Sequence, residues 1–160
     1  MFTDIVTSTD LIGVVGDEAW AELLAWHNRE LRSSFASHRG EEVKSTGDGF
    51  FVTFDKAGEA IECAVDIQQR LTRHRREHGF APTVRIGLHT AGATRDGRDY
   101  GGQGVHIAAR VGGAASGQEI LVTTEVFEQG GRTRFKASEP RMLTLKGVRE
   151  PVEVRAIDWR

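Results

Sequence analysis

Asp4 closes a short β-rich run at residues 2–6, and Asp48 sits in the turn Thr46-Gly47-Asp48-Gly49 between two further strand-like runs, 42–45 and 50–54. An Asp-Gly step between β-rich segments is a strong hairpin signal, so the second carboxylate belongs at a hairpin tip. In a ferredoxin-like βαββ arrangement the first strand lies beside that hairpin, and the two carboxylates meet. Crowded carboxylates repel, and a divalent cation is the usual relief; hard oxygen ligands beside a phosphate chain suit Mg²⁺ or Mn²⁺. Two such ions can clamp the attacking and leaving oxygens of an in-line displacement. The backbone N–H groups of Thr7, Ser8, Thr9 and Asp10, which open the following helix, are placed to cradle phosphates. Taken singly, Asp48 also reads as an ordinary turn residue and Asp4 as a helix-entry residue, because Asp-Gly turns are common.

The elements that must position these groups follow from periodicity. Trp20, Leu23, Leu24, His27, Leu31 and Phe35 recur at helical spacing over residues 17–38, with Gly40 as the stop. Ala57, Ala60, Ile61, Ala64, Val65, Gln68 and Leu71 mark a second long helix that fades into a basic stretch at 70–76 and ends near Gly79, a charge placement suited to the helix dipole. Residues 83–89 alternate as a strand, a glycine-rich connection spans 92–104, residues 105–111 read as a short helix, and 119–123 resume β. The tail, about 132–157, reads as a β-hairpin around Lys146-Gly147 and Pro151. This order gives an α+β fold: a ferredoxin-like, palm-like, mostly antiparallel sheet with helices on one face and an extra C-terminal β-hairpin.

With 160 residues, 39% of them hydrophobic, the chain fits one globular domain. Residues 1–6 read as the second half of a strand, so 1–160 is expected to be a domain cut from a longer protein. The net charge of −2, with both signs interspersed, gives no long-range field to hold nucleic acid or anionic lipid. Cys63 is the sole cysteine and lies within a helical pattern, so no intrachain disulfide forms and a reducing, cytoplasmic setting is expected. No apolar run approaches the roughly 20 residues of a membrane span, and no membrane contact by the domain itself is expected. His74 and His78 have i, i+4 metal spacing but no third ligand in view, and read as surface histidines. The arginines at 70–76 read as a solvated helix end. Trp20 and Trp26 read as core or interface aromatics, and Trp159 as lying at the chain's end.

Five segments, in order and over nearly the whole chain, resemble the class III adenylyl and guanylyl cyclases. Phe2-Thr3-Asp4-Ile5 with Ser8-Thr9 looks like the family's first metal motif, and Lys44-Ser45-Thr46-Gly47-Asp48-Gly49-Phe50 like its second. Arg85-Ile86-Gly87-Leu88-His89-Thr90, then Asp99-Tyr100-Gly101-Gly102 running into Val105-His106-Ile107-Ala108-Ala109-Arg110, and Leu145-Lys146-Gly147 complete the set.

The resemblance implies an adenylyl cyclase that converts ATP to 3′,5′-cyclic AMP and pyrophosphate with two Mg²⁺ or Mn²⁺ ions per site. Asp4, Asp48 and the Ile5 carbonyl match the metal ligands. Lys44 and Asp99 match the pair that reads the purine edge, and a Lys donor with an Asp acceptor fits adenine where guanine presents the opposite pattern. Arg110 matches the arginine that stabilises charge on the transferring phosphoryl group, and Lys146 a lysine on the terminal phosphates. The family also implies a head-to-tail homodimer, with the metal aspartates from one subunit and Lys44, Asp99, His106, Arg110 and Lys146 from the other. His106 departs from the pattern, standing where an asparagine usually orients the ribose; its i, i+4 relation to Arg110 puts both on one helical face. Ala91-Gly92 is a second departure. A catalytically silent nucleotide-binding or dimerisation module, or a guanylyl cyclase, stays open as an alternative.

Overall fold

A computed structural model describes residues 1–90, 94–96 and 99–160, the side chains of 94–96, 99 and 100 excepted. Strand β1 (Phe2–Ile5) leads into helices α1 (Ser8–Val15) and α2 (Asp17–Ser37), the hairpin β2 (Glu41–Ser45) and β3 (Gly49–Thr53), and helix α3 (Ala57–His78). Strand β4 (Val84–Leu88), the small hairpin β5 (Thr94–Asp96) and β6 (Asp99–Gly101), helix α4 (Gln103–Ala114) and strand β7 (Ile120–Thr123) follow. The chain ends with the one-turn helix α5 (Thr124–Val126), a π-helical turn over Phe127–Gly131, and strands β8 (Lys136–Ala137), β9 (Arg141–Leu143) and β10 (Val152–Asp158). The main sheet runs β2-β3-β1-β4-β7-β10-β8, with β9 also on β10. Its pairs are antiparallel except β4 with β7, a parallel pair whose connection includes α4. The C-terminal hairpin expected around Lys146-Gly147 is β9 paired with β10.

Strand parity separates two cores. Ile120 and Val122 of β7 join Ile5, Phe50, Val52, Val84, Ile86 and Leu88 beneath Leu31 and Phe35 of α2 and Ile61, Ile67 and Leu71 of α3. Leu121, between them, packs with Val111 of α4, Leu145 and Val154 in a smaller cluster. Helix α4 therefore covers the opposite face from α2 and α3, which corrects the expectation of helices on one face. The reason is local: a Cβ on Gly87 would stand 2.1 Å from the Gly112 main-chain nitrogen, so only the bare backbone of β4 admits α4. Helical periodicity reveals that a helix has an apolar side, not which side of the sheet receives it.

Helix α2 matches its expected span, but α1 precedes it as a separate helix, broken at Gly16, where φ is +84°. The glycine-rich connection also holds the β5–β6 hairpin. The basic end of α3 is less solvated than expected. Arg70 pairs with Asp66 at 2.8 Å and with Glu30 at 3.7 Å, and Arg75 donates to the carbonyls of Ala81 and Pro82. His74 stacks on Trp26, with centroids 3.9 Å apart, and so is a packing residue. Trp20 and Trp26 pack against the main core, and Trp159 is buried with its indole N–H donating to the Gln118 carbonyl at 2.7 Å. Burial pushes the Cys63 thiol up to about 12, keeping it protonated and inert. No helix among the described residues is long and apolar enough to cross a membrane.

Candidate active site

Strand β1 lies between β3 and β4, and Asp4 stands opposite Gly49 on one side and Arg85 on the other. The Asp48 carbonyl accepts from the Ile5 N–H at 3.3 Å, and the Thr46 N–H donates to the Gly49 carbonyl at 2.9 Å, closing the hairpin turn. A Cβ on Gly49 would fall 2.2 Å from the Thr3 carbonyl oxygen, so the turn rests directly on β1 only because residue 49 is glycine. These constraints set the Asp48 carboxyl near Asp4, close enough for its charge to act there. The Asp4 carboxyl is held above the usual carboxylate range, chiefly by burial; Arg85 pulls it down and Asp48 pushes it up. Arg85 donates from Nε to Asp4 Oδ2 at 2.8 Å, from Nη2 to the same oxygen, and from Nη1 to the Gly113 carbonyl at 3.0 Å.

The oxygen donors of Asp4 and Asp48, with the Ile5 main chain at the same strand end, fit a hard divalent cation such as Mg²⁺ or Mn²⁺. No group of three or more His, Cys, Asp or Glu side chains suited to a metal occurs among the described residues. Further donors at this point would have to be main-chain, solvent or substrate oxygens. Thr7, beside the pair, adopts a left-handed conformation with φ 60° and ψ 32°, and its hydroxyl donates to the Val6 carbonyl at 2.7 Å. A β-branched residue held there is strained, and the strain redirects the chain from β1 into α1. The first-turn N–H groups of α1, at Ser8, Thr9 and Asp10, have no acceptor within the helix, the usual condition of a helix start.

The other candidate residues lie on the α4 side of the sheet. Lys44 is exposed and stands opposite Phe51, so its side chain leaves the sheet on the same side as Phe51, which stacks on Phe2 with centroids 4.6 Å apart. His106 and Arg110 are exposed one turn apart on α4. A Cβ on Gly147 would stand 2.9 Å from His106 Nε2, so the loop carrying exposed Lys146 lies against the imidazole. Lys44, Arg110 and Lys146 form no ion pair with a described side chain. The main chain of Asp99 lies in β6, paired with Asp96 and next to β2 and α4; its side chain, like the Ala91-Gly92 departure, lies outside the described residues. The structure thus joins Asp4 with Asp48, and His106 with the Lys146 loop.

Two residues near the carboxylates were not singled out from sequence. Arg85 appeared only within a motif, although a cation in an alternating strand that pairs with β1 was a usable signal. His27 appeared only as a member of an apolar stripe. It is fully buried, and neither ring nitrogen has a hydrogen-bond partner among the described residues. Burial pulls its pKa down to about 4, and the nearby Asp48 charge opposes that only in part. Its folded pKa lies below the unfolded value near 6.5, so the unfolded chain binds more protons as pH falls from 6.5 to 4. Stability is lost across that window, by up to about 3 kcal/mol. The variant His27→Leu is expected to flatten the urea-unfolding free energy between pH 6.5 and 4; an unchanged slope would mean that His27 is already protonated in the fold.

The model of the adenylate and guanylate cyclase catalytic domain matches residues 1–157. A receptor-type adenylate cyclase of Trypanosoma congolense is 29% identical in an alignment spanning 96% of this chain and 27% of that protein. A putative adenylate cyclase 3 of Rhizobium meliloti (strain 1021) is 28% identical over 82% of this chain and 23% of its own length. The chain thus spans about a quarter of these relatives. Among solved structures, an adenylate cyclase of Trypanosoma brucei in its monomeric state superposes with a TM-score of 0.88 at 24% identity, covering 99% of this chain and 87% of that one. The adenylyl cyclase CyaB of P. aeruginosa superposes at 0.79 and 21% identity, over 98% and 91% of the two chains. With its fold matched at this level and the family's domain model running almost end to end, the chain belongs to the adenylate and guanylate cyclase catalytic domain family.

Proposed function

We propose that this domain is an adenylyl cyclase, converting ATP to 3′,5′-cyclic AMP and pyrophosphate in sites shared by two head-to-tail copies. The convergence of Asp4 and Asp48 beside the start of α1 carries the reading, because two carboxylates at one strand end offer hard oxygen ligands to a shared divalent cation. Asp4, Asp48 and the Ile5 carbonyl would hold two Mg²⁺ or Mn²⁺ ions, which when bound polarise the ribose 3′-hydroxyl and neutralise charge on the phosphates. Thr7, Ser8 and Thr9 place main-chain N–H groups toward the triphosphate. From the partner copy, Lys44 donates to the adenine ring and Asp99 accepts from its amino group, which selects ATP over GTP. Arg110 spreads its charge over the α-phosphoryl oxygens as the 3′-hydroxyl attacks phosphorus, and Lys146 binds the departing pyrophosphate. His106 occupies the ribose-orienting position. No covalent nucleophile is required.

The domain is read as part of a longer, cytoplasmic signalling protein, without nucleic-acid or membrane contacts of its own. Purified protein at high concentration with ATP and Mn²⁺ is expected to yield cyclic AMP, and to yield less cyclic GMP from GTP. No cyclic nucleotide from either would reverse the reading. Nucleotide binding without turnover, unaltered by His106→Asn, would identify the silent module that the substituted histidine favours.

A further inference from the structure

We propose that His106 acts through Lys146: its imidazole is the seat on which the turn carrying that lysine rests, and it thereby sets where the ammonium stands against the terminal phosphates. The inference rests on the reading of Lys146 as a phosphate contact. Lys146 is exposed and forms no ion pair with a described side chain, so its position is inherited from its turn. The Val148 N–H closes that turn on the Leu145 carbonyl at 3.1 Å, with Gly147 inside it at φ +77°. Leu145 is buried beside Val111 of α4, and Ile107 and Val148 pack on the same cluster. The base of the turn is thus fastened to α4.

His106 supplies the contact at the tip. A Cβ on Gly147 would stand 2.9 Å from His106 Nε2 but 3.7 Å from Cε1 and 4.0 Å from Cδ2. The ring therefore meets Gly147 edge-on, Nε2 foremost, and only a residue without a side chain admits it so closely. Residue 147 is glycine for two reasons at once, the positive φ of the turn and the approach of the imidazole. His106 lies one helical turn from Arg110, so the seat refers Lys146 to the same rigid element that carries the arginine. A side chain that ended short of Nε2 would leave a gap under the tip, and the lysine would spend less time aligned with the phosphates. His106 is in this sense a positioning residue for Lys146. A contact with the ribose, by contrast, would act whether or not the lysine were present.

A double-mutant cycle in the whole chain, with ATP and Mn²⁺, tests this. His106→Ala and Lys146→Ala are each expected to lower kcat/KM about tenfold, and the double variant to stand about tenfold down as well, rather than about a hundredfold. His106→Gln, whose amide extends to much the same reach as Nε2, is expected to stay close to wild type. Multiplicative losses, or a Gln variant as impaired as the Ala variant, would overturn the inference and leave the cyclase reading standing. A measurement on the unaltered chain covers a variant that fails to fold: a nuclear Overhauser contact between His106 Hε1 and the Gly147 α-protons is expected, and its absence would overturn the seat too. Full turnover in Lys146→Ala defeats the phosphate role of the lysine and this inference with it. Where wild type binds 3′-deoxy-ATP without turning ATP over, the same cycle is read on the Kd of that analogue. Neither turnover nor binding in wild type defeats the cyclase reading beneath it.

Discussion

Mixed in equal amounts, Asp48→Ala and Arg110→Ala chains, each inactive alone, are expected to recover about a quarter of wild-type cyclic AMP production. Random pairing makes half the dimers mixed, and in each of these one site draws its aspartates from one chain and its arginine from the other, both intact. The second site of the same dimer carries both lesions. Removing Asp48 alone takes one of two carboxylates from the proposed cation site, a loss expected to cost several kcal/mol of transition-state stabilisation, or on the order of a thousandfold in rate. Asp48 lies in a hairpin turn outside both apolar clusters, so the fold is expected to survive with little change in melting temperature. Arg110 is exposed on α4, and its loss should be equally benign to the fold. Recovery is read by coupled pyrophosphate release after verifying mixed dimers by native mass spectrometry. Mixed dimers without recovered turnover would place both residues in one chain's site, or outside the site altogether.

Gly87→Ala is expected to destabilise the domain by about 3 kcal/mol or more, lowering its melting temperature by roughly 10 °C. The added methyl would stand 2.1 Å from the Gly112 nitrogen and 2.3 Å from its Cα, and neither backbone atom can rotate away. Helix α4 must lift from β4, carrying His106, Arg110 and the Gly113 carbonyl with it, so activity should fall even where the variant stays folded. Gly113→Ala is the control: nothing lies within 4 Å of its Cβ, and alanine in a helix gains up to about 1 kcal/mol over glycine. Calorimetric scans showing equal melting points for the two variants would mean that α4 does not seat on bare backbone.

The fold was readable where one local rule governed it. The Asp48-Gly49 step announced its hairpin, and the stripe from Trp20 to Phe35 announced α2. Asp4 and Asp48 were legible as a pair because β1 had to lie beside that hairpin. What escaped needed information across elements. The seat of α4 depends on Gly87 meeting Gly112, and the anchoring of Arg75 depends on where the chain returns after α3. His27 sits in an apolar stripe at helical spacing, so nothing in its neighbours distinguished a fully buried imidazole from an ordinary core position.

The opposed packing of the sheet's two sides carries a consequence for how the sequence can drift. Along β1, Met1, Thr3 and Ile5 look inward to the main core, whereas Phe2 and Asp4 look out toward α4 and the carboxylate pair. Substitutions at neighbouring positions thus answer to different constraints, the odd ones registering as lost expression and the even ones as lost output at normal abundance. A saturation library scored separately for yield and for signalling should resolve β1 into a two-beat alternation, one channel falling silent where the other speaks.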